Sequence, residues 1–223
     1  MSQIQPFVHL RVASGWSMKY GASPVDELVA AAATMGQPAL AVTDRDTVAG
    51  AVKFALACQH HGVSPILGVD LALESLPLAH PAPPASVRTP VRGGAFIDQR
   101  QPRVGFLVRG AHGWAQVCHL TTAAHRHRDH PLLCRDDIAH ILSANPSVVV
   151  LLGPDSSVGR AVLQRRPEQA RHEIAWWRSI VGAQSLRIEV VSHLANEHDP
   201  RGAPRSTALA ARMLELAVEQ RIT

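Results

Sequence analysis

The apolar run Ala39-Leu-Ala-Val passes without a spacer into Thr43-Asp44-Arg45-Asp46, and it lies between two helix-forming segments that each close on a glycine, Gly36 and Gly62. A short buried strand flanked by helices restricts the chain to an α/β architecture, because alternating strands and helices bury their apolar faces as a sheet with helical crossovers. In such folds chemistry gathers where strands end. Three other segments pair an apolar run with charge in the same way: Phe7-Val-His9-Leu-Arg11-Val, Pro65-Ile-Leu-Gly-Val-Asp70 and Arg187-Ile-Glu189-Val-Val-Ser-His193.

The alternation reads through most of the sequence. Ser23 followed by Pro24 and Asp26 marks a helix start that runs to Met35, with Gly36 as the left-handed stop. A strand over Pro38 to Thr43, a helix from Val48 to His61 and a strand from Pro65 to Leu73 follow. Later strands are expected at Phe7 to Val12, Val104 to Val108, Val148 to Leu152 and Leu186 to Val191. Further helices are expected at Gly113 to Ala124, Asp136 to Leu142, Val158 to Arg165, Glu168 to Val181 and Ser206 to Gln220. All strands are expected to be parallel. The stretch 76–102, rich in proline and carrying Gly93-Gly94, reads as a long surface loop. At 223 residues and 46% hydrophobic content, one domain over residues 1–223 is the natural division.

Charge and cysteine usage narrow the classes. The net charge of +4 is almost all arginine, since Lys19 and Lys53 are the only lysines, and a soluble arginine-rich surface accounts for it. Cys58, Cys118 and Cys134 are too few and too scattered for a disulfide framework, which points to a reducing, cytoplasmic setting. No apolar run approaches the roughly 20 residues of a membrane span. Other motifs have structural explanations. His60-His61 closes a helix; Cys118 and Trp176-Trp177 sit on helices at packing positions; His125-Arg-His127-Arg-Asp-His130 reads as a solvated helix exit rather than a metal tract.

Phe7-Val-His-Leu-Arg-Val-Ala-Ser14, Tyr20-Gly-Ala-Ser23, Ala39 to Asp46, Gly50-Ala-Val-Lys-Phe54 and Pro65 to Asp70 together resemble the PHP (polymerase and histidinol phosphatase) domain at the N-terminus of bacterial DNA polymerase III alpha subunits. Arg88 to Phe96, Val149 to Pro154 and Glu189 to His193 are similar to the actinobacterial branch. The resemblance implies a distorted parallel β/α barrel of about seven strands whose rim can hold up to three metal ions for phosphoester hydrolysis, including exonucleolytic proofreading. The chain ends on a helix, which leaves such a barrel without its last strand. The family's closing Asp-x-His would fall just beyond Thr223.

Against the family pattern, His-x-His reads His9-Leu-Arg11, and Thr-Asp-His-Asp reads Thr43-Asp44-Arg45-Asp46. Tyr20 stands for an acid, Asp70 for a glutamate and Arg103 for a histidine, while His193 keeps its place. Arginine cannot expose a lone pair and fixes a positive charge where a dication should sit. Three readings follow. The guanidiniums of Arg11, Arg45 and Arg103 fill the metal space and pair with Asp44, Asp46, Asp70 and Glu189, making the domain a scaffold with no cofactor. Alternatively, Zn or Mn is held by His9, Asp44, Asp46, Asp70, Glu189 and His193 in a phosphoesterase or 3′–5′ exonuclease. In the third reading Arg11 and Arg45 grip DNA or phosphate. The partners implied are the remaining domains of a polymerase alpha subunit, a proofreading exonuclease or DNA.

Overall fold

The computed structural model describes residues 7–74, 101–126, 130–143, 145–191 and 203–222, the last without the side chains of 203–206. The elements run α1 (Val25–Thr34), β1 (Ala39–Arg45), α2 (Ala51–His61), β2 (Ser64–Ala72), β3 (Arg103–Val108), α3 (Gly110–Ala124), α4 (Arg135–Leu142), β4 (Val148–Leu152), α5 (Ser157–Leu163), α6 (Pro167–Val181), β5 (Leu186–Ile188) and α7 (Ala203–Glu219). The loop expected over 76–102 lies outside the described residues except at its last two positions.

The five strands form one sheet in the order β1-β2-β3-β4-β5. It is mixed, not parallel: β2 and β3 are antiparallel, as are β3 and β4, while β1 with β2 and β4 with β5 run parallel. The strand count is five where about seven were expected, and no barrel closure is present among the described residues. The stretch expected as a first strand is not one. It still lies along β1, where Ala41 N–H donates to His9 O at 2.9 Å and Thr43 N–H to Val12 O at 2.8 Å. β5 stops at Ile188 rather than at Val191. Helix α1 begins one turn position later than Ser23 suggested: Pro24 is its N-cap residue, and no side chain caps it.

Reversal of β3 has a functional consequence. It brings the first residue of β3, Arg103, to the same end of the sheet as the last residues of β1 and β2 and as the exits of β4 and β5. Strand alternation then decides which side chains share a face. Leu40 and Val42 of β1 pack with Val25, Val29, Phe54 and Cys58 of α1 and α2. Val69 and Leu71 of β2 join Phe106, Leu120, Ile138, Ile174 and Trp177 beneath the other helices. The opposite face holds a small cluster of Ala41, Leu107 and Leu151, backed by Ile66 and Val149. Gly68 lies on that face too, where a Cβ would come within 2.9 Å of Thr43 Cγ2 and 3.0 Å of Leu107 Cδ2. Asp70, two residues on along β2, therefore projects from this same face at the rim.

Candidate functional site at the strand rim

Above the apolar floor, the rim is a web of guanidinium and carboxylate groups. Arg11 donates from Nη1 to Glu189 Oε2 at 2.7 Å and from Nη2 to Asp70 Oδ2 at 3.0 Å. Arg103 donates from Nε to Asp70 Oδ1 at 3.1 Å, and from Nη2 to Asp46 Oδ1 at 2.9 Å and to the Asp70 carbonyl at 2.8 Å. Asp46 carries a left-handed backbone (φ 59°), a conformation that aspartate tolerates better than most residues. Arg45 Nε sits 3.9 Å from Asp70 Oδ2, with its guanidinium over the Tyr20 ring at 3.5 Å from the ring centre.

The Arg11 bonds span the whole sheet. Arg11 precedes β1 at one edge and Glu189 follows β5 at the other, so a 2.7 Å contact between them requires the sheet to curl until its two ends meet at the rim. Gly153, at the exit of β4, makes room for this pair. A Cβ there would lie 2.3 Å from Glu189 Oε2 and 2.7 Å from Arg11 Nη1. Burial alone lowers the Arg11 pKa, but the charges of Asp70 and then Glu189 outweigh it and hold the guanidinium above its ordinary range. Arg45 moves the other way, lowered first by burial and then by the neighbouring Arg103 charge.

Two residues named from the sequence do not join this web. Asp44 is buried but pairs with no arginine; it accepts from Ser14 N–H at 2.7 Å, Ser14 Oγ at 2.8 Å and Ser17 Oγ at 2.7 Å. His9 lies at the far end of β1, exposed, with Nδ1 3.0 Å from Gln37 Oε1 and its ring against Phe7. A motif spacing of two residues placed it with Arg11, but two residues of extended chain are about 7 Å, enough to carry His9 away from the rim and down to Gln37. Tyr20 is at the rim as a platform for Arg45. His193 lies outside the described residues. Ser14, Ser17 and Gly153 were not singled out from the sequence. Their signal was the run of small and hydroxyl residues directly after a strand-like segment, and a glycine at a strand exit.

This donor set does not fit a metal cluster. Each oxygen pair that could face a dication already accepts from a fixed cation, or from serine donors in the case of Asp44, and among the described residues no group of three or more His, Cys, Asp or Glu side chains is arranged to hold a metal ion. The cysteines offer no substitute, since burial pushes the Cys58 thiol up to about 11 and raises Cys118 as well. The His125 ring approaches the site only through the backbone, with Nε2 2.6 Å from Asp46 O.

Similarity to known proteins extends over most of the chain. The error-prone DNA polymerase of Nocardia farcinica is 28% identical over 89% of this chain and 20% of its own length. The DNA polymerase III subunit alpha of Treponema pallidum is 27% identical over 93% of this chain and 17% of its own. The error-prone DNA polymerase of Symbiobacterium thermophilum is 39% identical over 53% of this chain and 9% of its own. The chain thus spans about a fifth or less of these relatives. Among solved structures, a Bifidobacterium adolescentis protein assigned as a metal-dependent phosphoesterase matches with a TM-score of 0.51 at 15% identity, covering 96% of this chain and 83% of that one, and so shares the fold. No helix among the described residues is long and apolar enough to cross a membrane. The PHP domain model matches residues 9–193, a span that takes in both ends of the curled sheet, and the chain belongs to the PHP domain family.

Proposed function

We propose that this chain is a PHP module of the DNA polymerase III alpha type that serves as a scaffold, with its former hydrolytic rim closed by arginines. The observation that carries this reading is the pair of bonds from Arg11 to Asp70 and Glu189, which tie opposite ends of the sheet through a group that can never release a proton to bind metal. Arg11 between Asp70 and Glu189, and Arg103 between Asp70 and Asp46, take over the charge balance that dications would supply. They do so without a site for water activation, which needs an open coordination position. The module's work is then mechanical: it presents a rigid α/β surface to the remaining domains of a polymerase and to a proofreading exonuclease, in replication or repair within the cytoplasm.

The decisive experiment incubates the full chain with Zn and Mn, removes free ion and measures bound metal, alongside hydrolysis of a model phosphodiester. The scaffold reading expects well under one equivalent of metal and no hydrolysis that a chelator abolishes. Retention of one equivalent or more, with chelator-sensitive hydrolysis, overturns it in favour of a phosphoesterase or exonuclease.

A further inference from the structure

At the end of the sheet away from the rim, two arginines meet with no carboxylate between them. Arg109 continues β3 in an extended conformation (φ −115°, ψ 102°), so strand alternation puts it on the face of Arg103, Gly105 and Leu107, but at the opposite end. Arg187 lies opposite Leu151 in the register of β4 with β5 and shares that face. Both therefore project from the face that carries the Ala41, Leu107 and Leu151 cluster, where Ile66 and Val149 are only half-buried.

Every oxygen that these two arginines bond is neutral. Arg109 donates from Nη1 to Ser185 Oγ at 3.1 Å and from Nη2 to Gln184 O at 3.2 Å. Arg187 donates from Nη1 to the same Gln184 oxygen at 3.1 Å and to Leu186 O at 2.8 Å. Two guanidiniums on one carbonyl oxygen bring like charges together, and among the described residues neither forms an ion pair. The rim balances its arginines differently, since Arg11 and Arg103 each bond two carboxylates. At the far end the Nε and Nη2 donors of Arg187 and the Nε of Arg109 have no protein acceptor among the described residues. Paired forks with spare donors and no counter-charge favour an anion.

The surroundings select the kind of anion. A nucleic-acid backbone is held by cations spaced along a track, whereas these two converge on one point and suit a single charged group. The half-buried Ile66 and Val149 on the same face suit an apolar side chain next to that group.

We propose that this end of the curled sheet docks a partner protein through one carboxylate flanked by apolar residues, with the carboxylate held between Arg109 and Arg187. The site lies at the opposite end of the sheet from the rim, and the proposal stands whether or not the rim is a scaffold.

Calorimetric titration of the full chain with two capped pentapeptides, Leu-Asp-Leu-Asp-Leu and Leu-Asn-Leu-Asn-Leu, and with a short oligothymidylate tests the assignment. The acidic peptide should bind about tenfold or more tightly than its amide counterpart, the difference expected for one charged hydrogen bond, and salt should weaken it. Arg109→Gln and Arg187→Gln should each weaken acidic-peptide binding about tenfold. Their thermal midpoints should stay at the wild-type value, because the bonds lost are to neutral oxygens and a like-charge contact is relieved. Each variant is titrated well below its midpoint, so that a loss of affinity is not a loss of fold. Arg165→Gln, which removes an exposed arginine after α5, should change affinity little. The proposal is overturned by no binding at millimolar peptide, by equal affinity for the two peptides, by tighter binding of the oligothymidylate, by peptide binding that neither Arg109→Gln nor Arg187→Gln weakens, or by equal weakening in Arg165→Gln.

Discussion

Among the described residues, two assemblies of arginine and carboxylate are largely buried, and they are built on different principles. Between α4, α5 and α6, Glu173 accepts two bonds from Arg135 Nη2, at 2.7 and 2.6 Å, and one from Ser157 Oγ at 2.6 Å, with the Arg135 guanidinium over the Trp176 ring at 4.3 Å. This is a closed pair: one acid, one base, and an aromatic lid. At the rim, three guanidiniums share Asp46, Asp70 and Glu189 across segments that are far apart in sequence, and Asp70 alone serves three of them. A closed pair can be exchanged as a unit for apolar side chains, since each charge answers only to the other. The rim cannot, because removing a shared carboxylate strands more than one guanidinium. The rim therefore has the connectivity of an adapted site, and the helix pair that of a structural clamp.

Removing the shared acceptor at the rim should give the largest effect. Asp70→Ala leaves Arg11, Arg45 and Arg103 facing one another, with an expected loss of about 4 kcal/mol, or roughly 10 °C in thermal midpoint for a chain of this size, read by calorimetry. At the clamp, Glu173→Ala should cost about 3 kcal/mol, yet the double replacement Glu173→Leu with Arg135→Met should return to within about 1 kcal/mol of wild type. A double variant no better than the single one would erase the distinction between the two assemblies. Gly153→Ala should cost about 2 kcal/mol by forcing Glu189 and Arg11 apart, and the loss should shrink when Arg11→Ala is already present. Asp44→Asn, which turns one acceptor oxygen into a donor facing serine groups, should cost about 1 to 2 kcal/mol. Arg45→Gln sits at the bottom of the series, within about 1 kcal/mol of wild type, because its guanidinium makes no hydrogen bond among the described residues.

The local elements were legible because they depend on local rules. Gly62 does stop α2 in a left-handed conformation (φ 68°), and the apolar run after Gly36 does form β1. The direction of β3 was not legible. Alternation of side chains across a strand is the same read from either end, so Arg103-Val-Gly-Phe-Leu-Val specifies a strand without specifying which way it runs. The expectation of an all-parallel sheet failed there. His9 and Asp44 show the same limit at the site. Both match a ligand motif in spacing, but their partners, Gln37 and the two serines, are chosen by how the 9–23 segment folds over β1.

The sequence by itself determined the alternation of strands and helices, the family, and the presence of arginines close to the strand ends, since each of these is carried by residue type and spacing. The tertiary structure alone decided that β3 runs backwards, that Arg11 bridges the two ends of the curled sheet, and that Arg45 keeps a buried Nε without a hydrogen-bond partner. The reason is that a charge finds its partner through space, and separations such as the 178 positions between Arg11 and Glu189 carry no local signal of contact.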